Sequence, residues 1–186
     1  MRAAVVALSL TALAASNAAA ADEDDSPSPF EARPTAAFIE TVLSGPYGFA
    51  AFEAEQALLP SWTVSAGIGL GDASLQGGAM THLRFGGAWS RMEIGAGLSY
   101  GKRVWQDLCG DELCAQKSGT VLRANLEMGV THRWPSGFSM KYFVGYGHVA
   151  AGSLTCESVN VDNCTANLQN EGLGMVYTGF GIGASF

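Results

Sequence analysis

The sequence predicts an all-β fold, an eight-stranded antiparallel up-and-down transmembrane β-barrel, and three observations carry that reading. Apolar and polar residues alternate with a period of two in run after run, the signature of strands with two different faces. The connections sort by parity: tight turns follow the second, fourth and sixth runs, while longer polar stretches follow the fifth and seventh. The polar face of the alternation consists of glycine and scattered single charges instead of a dense charged coat.

Before the strands, Met1 to Ala20 reads as a secretory leader: Arg2, an apolar run from Ala3 to Ala15, and small residues offering a cleavage site at Ala18-Ala19-Ala20. The apolar run is shorter than the roughly 20 residues of a spanning helix. Ala21 to Pro34, with Asp22-Glu23-Asp24-Asp25 and Ser-Pro-Ser-Pro, lacks the apolar surface to offset ordering entropy and predicts a flexible lead-in. The barrel is then expected over residues 35–186.

Its first strand, Thr35 to Ser44, is the least clear, because Phe38, Glu40 and Val42 alternate with Ala37, Ile39, Thr41 and Leu43; a short amphipathic helix is the alternative. Gly45-Pro46-Tyr47-Gly48 turns the chain into a second strand, Phe49 to Leu58, with Phe52 and Ala54 opposite Glu53 and Glu55. The third, Trp62 to Gly71, sets Trp62, Val64, Ala66, Ile68 and Leu70 against Thr63, Ser65 and glycines. A loop through Asp72 and Gly77-Gly78 leads to the fourth, Ala79 to Trp89, with Leu83 and Phe85 opposite His82 and Arg84. In the fifth, Arg91 to Val104, Met92, Ile94, Leu98 and Tyr100 oppose Arg91, Glu93, Gly95 and Gly97. The sixth and seventh, Gly119 to Trp134 and Phe138 to Ala150, form a long hairpin around Pro135-Ser136-Gly137. There Leu122, Leu126 and Met128 oppose Arg123 and Glu127, and Tyr142 and Tyr146 oppose Lys141. Gly174 to Phe186 is the eighth.

Alternation alone does not say which face points inward, and a soluble calyx shows the same period. Its outer face, however, would be rich in charge. Here charged residues are 15% of the chain and glycine reaches 24 residues. Such a face suits a narrow lumen, in which Glu53, Glu55, Arg84, Arg91, Glu93, Arg123, Glu127 and Lys141 carry both signs and could neutralise one another. The net charge of −7 comes with no basic stripe, which excludes nucleic acid as a partner.

A leader, eight amphipathic strands, tight turns alternating with longer loops and a terminal aromatic, Phe186, together resemble the small outer-membrane β-barrel proteins of Gram-negative bacteria. The resemblance is architectural, covers roughly Thr35 to Phe186 and assigns no subfamily. It implies an integral outer-membrane location with a periplasmic N-terminus. It also implies outer-membrane lipid as surroundings and the barrel-assembly machinery as a partner, reading the last strand through Phe180, Ile182 and Phe186; Ala184 is a weak residue for that pattern.

Cys109 and Cys114 lie in the loop expected after the fifth strand, Trp105 to Ser118, and Cys156 and Cys164 in that after the seventh, Ala151 to Glu171. An even count in an exported chain argues for disulfides. Three pairings are open, with 109–114 and 156–164 favoured and an inter-loop bond as the rival. A four-thiolate metal site fits poorly, because zinc pairs are typically separated by about 2–4 residues. No cofactor is expected. Barrels of the family include enzymes acting on lipid A, and His148 is the histidine near the outer rim, but Ala150 stands where a same-face serine is needed; Ser153 and Glu157 are loop residues. The expectation is a non-enzymatic barrel with a structural or surface-interaction role displaying two disulfide-tied loops. A lipid A-modifying enzyme and a narrow solute channel are the alternatives, and no feature names an external ligand.

Overall fold

The computed structural model describes residues 27–71, 74–109, 112–158 and 174–186; at 44, 103, 105–109, 112–117 and 153–158 it describes the backbone alone. The leader and the side chains of all four cysteines therefore lie outside the described residues. One helical turn, α1 (Pro29–Ala32), precedes eight strands: β1 (Thr35–Gly45), β2 (Gly48–Leu59), β3 (Trp62–Leu70), β4 (Leu75–Gly86), β5 (Ser90–Cys109), β6 (Glu112–Arg133), β7 (Phe138–Ser158) and β8 (Gly174–Ser185). Each strand pairs antiparallel with the next, and β8 returns to β1 to close the barrel. The closing seam runs from Ala36 opposite Ser185 to Leu43 opposite Thr178. It is finished by two bonds, Thr35 N to Phe186 O at 3.2 Å and Phe186 N to Thr35 O at 2.9 Å. Every strand edge along the seam is thus satisfied, as a chain crossing hydrocarbon requires. Thr35–Gly45 is a strand, not the alternative helix.

The faces are inside-out relative to a soluble barrel. Ile39, Phe52, Ile68, Leu83, Leu98 and Met128 stand exposed on the outside, Ile94 at 53% and Leu126 at 62%. Arg133 and Lys141, at 0% and 2%, point into the lumen. Trp62 and Trp89 sit exposed at the rim where the barrel begins at Thr35 and ends at Phe186, hereafter the terminal rim, where an interfacial girdle belongs.

Three expected boundaries are corrected. Gly77 and Gly78, read as a loop, are ladder residues of β4 opposite Ile68 and Gly67. Trp105 to Ser118 is not an irregular loop: β5 and β6 continue as a hairpin from Val104 opposite Ser118 to Cys109 opposite Glu112. β7 likewise runs on to Ser158, so the first part of the expected Ala151–Glu171 loop is strand. Alternation requires two different media on the two faces. Beyond the closed barrel there is no lumen to supply the second medium, so the pattern fades while the hydrogen-bond ladder continues. The outcome is a three-stranded wall, β5–β6–β7, standing above the far rim.

Interior glycines make room for large inward side chains. A Cβ on Gly67 would lie 2.9 Å from the Tyr47 ring, and Cβ atoms on Gly145 and Gly179 would collide with Tyr177 and Phe143. The lumen is therefore packed by pairing one large residue with one glycine across neighbouring strands.

Candidate functional site: the charged lumen

The lumen is filled in layers. At the terminal rim, inward parity on β4, β5 and β6 brings Arg84, Arg91 and Arg133 together. Glu55 of β2 accepts from both Arg84 and Arg133 across the barrel, and Arg84 Nε donates to Glu93 at 2.6 Å. Above them Lys141 Nζ lies 2.9 Å from Glu53, 3.6 Å from Glu40 and 3.8 Å from Glu127, and His82 Nε2 is 3.4 Å from Glu127. Aromatic side chains close the far side. Tyr47 dips inward from the β1–β2 turn, its hydroxyl 3.4 Å from Glu53 and 3.3 Å from Ser65 Oγ. Phe143 and Tyr177 pack edge-to-face with Val42, and the Lys141 ammonium sits 5.1 Å from the Phe143 ring centre.

Of the residues singled out from sequence, Glu53, Glu55, Arg84, Glu93, Glu127 and Lys141 meet in this network. Arg123 lies apart, toward the far rim, where its Nη2 donates to the Gly45 carbonyl at 2.7 Å and ties down the β1–β2 turn. Arg91 sits at the mouth, 3.8 Å from Glu31. Three network members were not on that list. Arg133 continues the odd-numbered alternation of Arg123 and Glu127, so its position was readable. His82 was placed on the polar face but not in the network. Glu40 is flanked inside β1 by Phe38 and Val42, so its face does not look polar at all.

Within the lumen Glu40, Glu53, Glu55, Glu93 and Glu127 stand with Arg84, Arg123, Arg133 and Lys141, while Arg91 at the mouth meets Glu31. Desolvating such groups is costly unless each is paired, and removing one partner leaves a buried uncompensated charge. The arrangement can bind strand to strand across the axis. Among the described residues no cluster of His, Cys, Asp and Glu forms a metal site. His148 stands exposed on the outer face, stacked on Tyr146 at 6.5 Å between ring centres; the side chains of Ser153 and Glu157 lie outside the described residues. Phe180, Ile182 and Phe186 share the outer face of the closing strand and its end, Ile182 and Phe186 exposed.

A closed antiparallel barrel, apolar outside and ionic within, defines the class: a transmembrane β-barrel of eight strands. In fold, the chain is similar to the N-terminal β-barrel domain of OprF from Pseudomonas aeruginosa, with a TM-score of 0.51 and 14% identity over 83% of this chain and 98% of that one. It also aligns with CarO of Acinetobacter baumannii, with a TM-score of 0.48 and 12% identity over 82% of this chain and 98% of that one. No protein-family model and no curated protein sequence matches the chain.

Proposed function

We propose that the protein is an integral outer-membrane barrel with a structural or surface-interaction role and a closed lumen. Both chain ends face the periplasm, and the β5–β6–β7 wall rises outside the cell. The observation that carries this reading is the packed ionic interior: Glu55, Arg84, Arg133, Glu53 and Lys141 are buried and paired across the axis, with aromatic side chains on the far side. The likeness in fold to the OprF barrel domain supports the outer membrane as location. On this reading Cys109, Cys114, Cys156 and Cys164 form two disulfides in the external wall and its following segment, where the envelope is oxidising. The exterior residues Phe180, Ile182 and Phe186 serve as the assembly signal. Recognition is the work of the projecting wall, since loops and extensions carry function on a rigid scaffold.

The test is outer-membrane fractionation of the expressed full-length protein with heat-modifiable gel migration, followed by planar-bilayer recording of the purified barrel. Outer-membrane recovery and the absence of stable large conductance are expected; a steady porin-like conductance overturns the closed lumen. His148→Ala is expected to leave the lipid A mass spectrum of expressing cells unchanged.

A further inference from the structure

The sequence predicts a flexible lead-in, but its described part, residues 27–34, is built into the terminal mouth. Phe30 is 3% exposed although it precedes the barrel. Its ring meets the guanidinium carbons of Arg91 at 4.6 Å, Arg133 at 4.8 Å and Arg84 at 5.5 Å from its centre. Cations are drawn to an aromatic face by its quadrupole, more strongly when water is excluded. The charges complete the match. Arg84 and Arg133 find Glu55 and Glu93 within the barrel, but the one carboxylate in ion-pair reach of Arg91 among the described residues is Glu31, 3.8 Å away. Arg91 also donates to Ser28 Oγ at 3.3 Å, while Ser28 N donates to Glu31 at 3.2 Å and shapes the turn. Arg133 Nη1 donates to the Arg33 carbonyl at 2.7 Å.

We propose that the terminal mouth of the lumen is a binding site for an aromatic–acidic turn, and that Phe30 and Glu31 fill it in cis as a withdrawable plug. The turn is four residues long, Phe30 is its one buried residue, and the Glu31 side chain is 46% exposed. Docking thus hangs on one ring, a few side-chain contacts and one backbone bond from Ala57 N–H to the Pro34 carbonyl, whereas the barrel is held by its continuous ladder. With the turn withdrawn, Arg84, Arg91 and Arg133 face the compartment at the terminal rim, and the ionic layer opens to water from that side. This inference does not depend on which membrane houses the barrel.

The experiment uses the full-length chain folded in detergent, with folding verified by heat-modifiable migration. In Phe30→Ala, and less strongly in Arg91→Gln, the backbone amides of Glu31, Ala32 and Arg33, which close the turn, and that of Ala57, whose N–H donates to the Pro34 carbonyl, should exchange with deuterium at least tenfold faster. Amides at the centres of β5 and β6 should keep their wild-type rates. A dye-labelled peptide of residues 27–34 should bind the Phe30→Ala chain saturably. It should bind wild type at least tenfold more weakly, because the site is occupied, and lose binding when the peptide itself carries alanine at the ring position. Unchanged protection of Glu31, Ala32 and Arg33 in Phe30→Ala overturns the plug. So does faster exchange in β5 and β6 in step with the turn, which would make the ring part of the barrel core. A peptide that fails to bind Phe30→Ala, or binds wild type equally well, overturns the binding site.

Discussion

Lys141 is the residue on which the middle of the lumen turns, because one ammonium serves Glu53, Glu40 and Glu127 at once. Lys141→Met keeps the chain's length and removes the charge, leaving three carboxylates crowded in a site closed to bulk water. Removing one partner of a buried pair typically costs about 3–5 kcal/mol. Urea unfolding of the refolded variant should show a loss of that order, and Lys141→Met with Glu53→Gln should lose less than the two single changes combined, since they share a contact. A loss under about 1 kcal/mol, the range of exposed pairs, would mean that water reaches the cluster. What could be read at this scale depended on the neighbours of each charge. Glu127 stands between the inward residues Asn125 and Gly129, so parity alone marks it; Lys141 stands between Ser139 and Phe143 and is marked by that serine and by the glycines at 145 and 147. Glu40 escaped because a narrow lumen also buries Phe38 and Val42, and apolarity stops being a label for lipid wherever aromatic groups fill the bore. Phe30 escaped because nothing in Ser-Pro-Ser-Pro-Phe-Glu reports arginines gathered from three strands far along the chain.

Among the elements, strand length divides the barrel into two parts. β3 has 9 residues, about 30 Å at ~3.3 Å per residue, which a tilt of about 40° reduces to roughly the 25 Å of an apolar belt. β5, β6 and β7 have 20, 22 and 21 residues, far more than that belt takes up. The surplus is the three-stranded wall, which β4 and β8 do not flank: pairing of β4 with β5 ends at Gln76 opposite Gly101, and pairing of β7 with β8 ends at His148 opposite Gly174. The bulge that leaves Ala150 unpaired between Val149 and Ala151, with Gly152 at φ 145°, reverses the inward parity of β7 there and marks where the wall leaves the closed cylinder. Strand assignments inside the belt were legible for this reason, and those above it were not, because the bulges and the absence of a lumen there erase the period. Replacing residues 105–117 by a two-residue Asn-Gly turn, which closes on the paired Val104 and Ser118, should therefore leave a barrel that folds and migrates heat-modifiably like wild type. Aggregation of the shortened chain, under refolding conditions that suit the parent, would show that the wall is part of the folding unit.

For the whole molecule, the decisive property is the exchange of inside and outside, since every strand assignment would survive if the barrel were an ordinary soluble one. Charge placed on the outer face separates the two cases by depth. Ile94 lies near the middle of the closed part of β5, which runs from Ser90 to Gly101, and is 53% exposed; Leu75 opens β4 at the far rim and is 61% exposed. In hydrocarbon an arginine at mid-depth has to draw water and headgroups toward itself, whereas at the rim its guanidinium reaches the interface directly. Ile94→Arg should cost about 2–4 kcal/mol and Leu75→Arg about 0–1 kcal/mol in urea unfolding from lipid bilayers. A soluble barrel would accept both at no cost, as exposed positions commonly do. The gradient between the two sites, more than either value, measures what surrounds the barrel. Two equal values would place Ile94 and Leu75 in one medium and remove the membrane from the account.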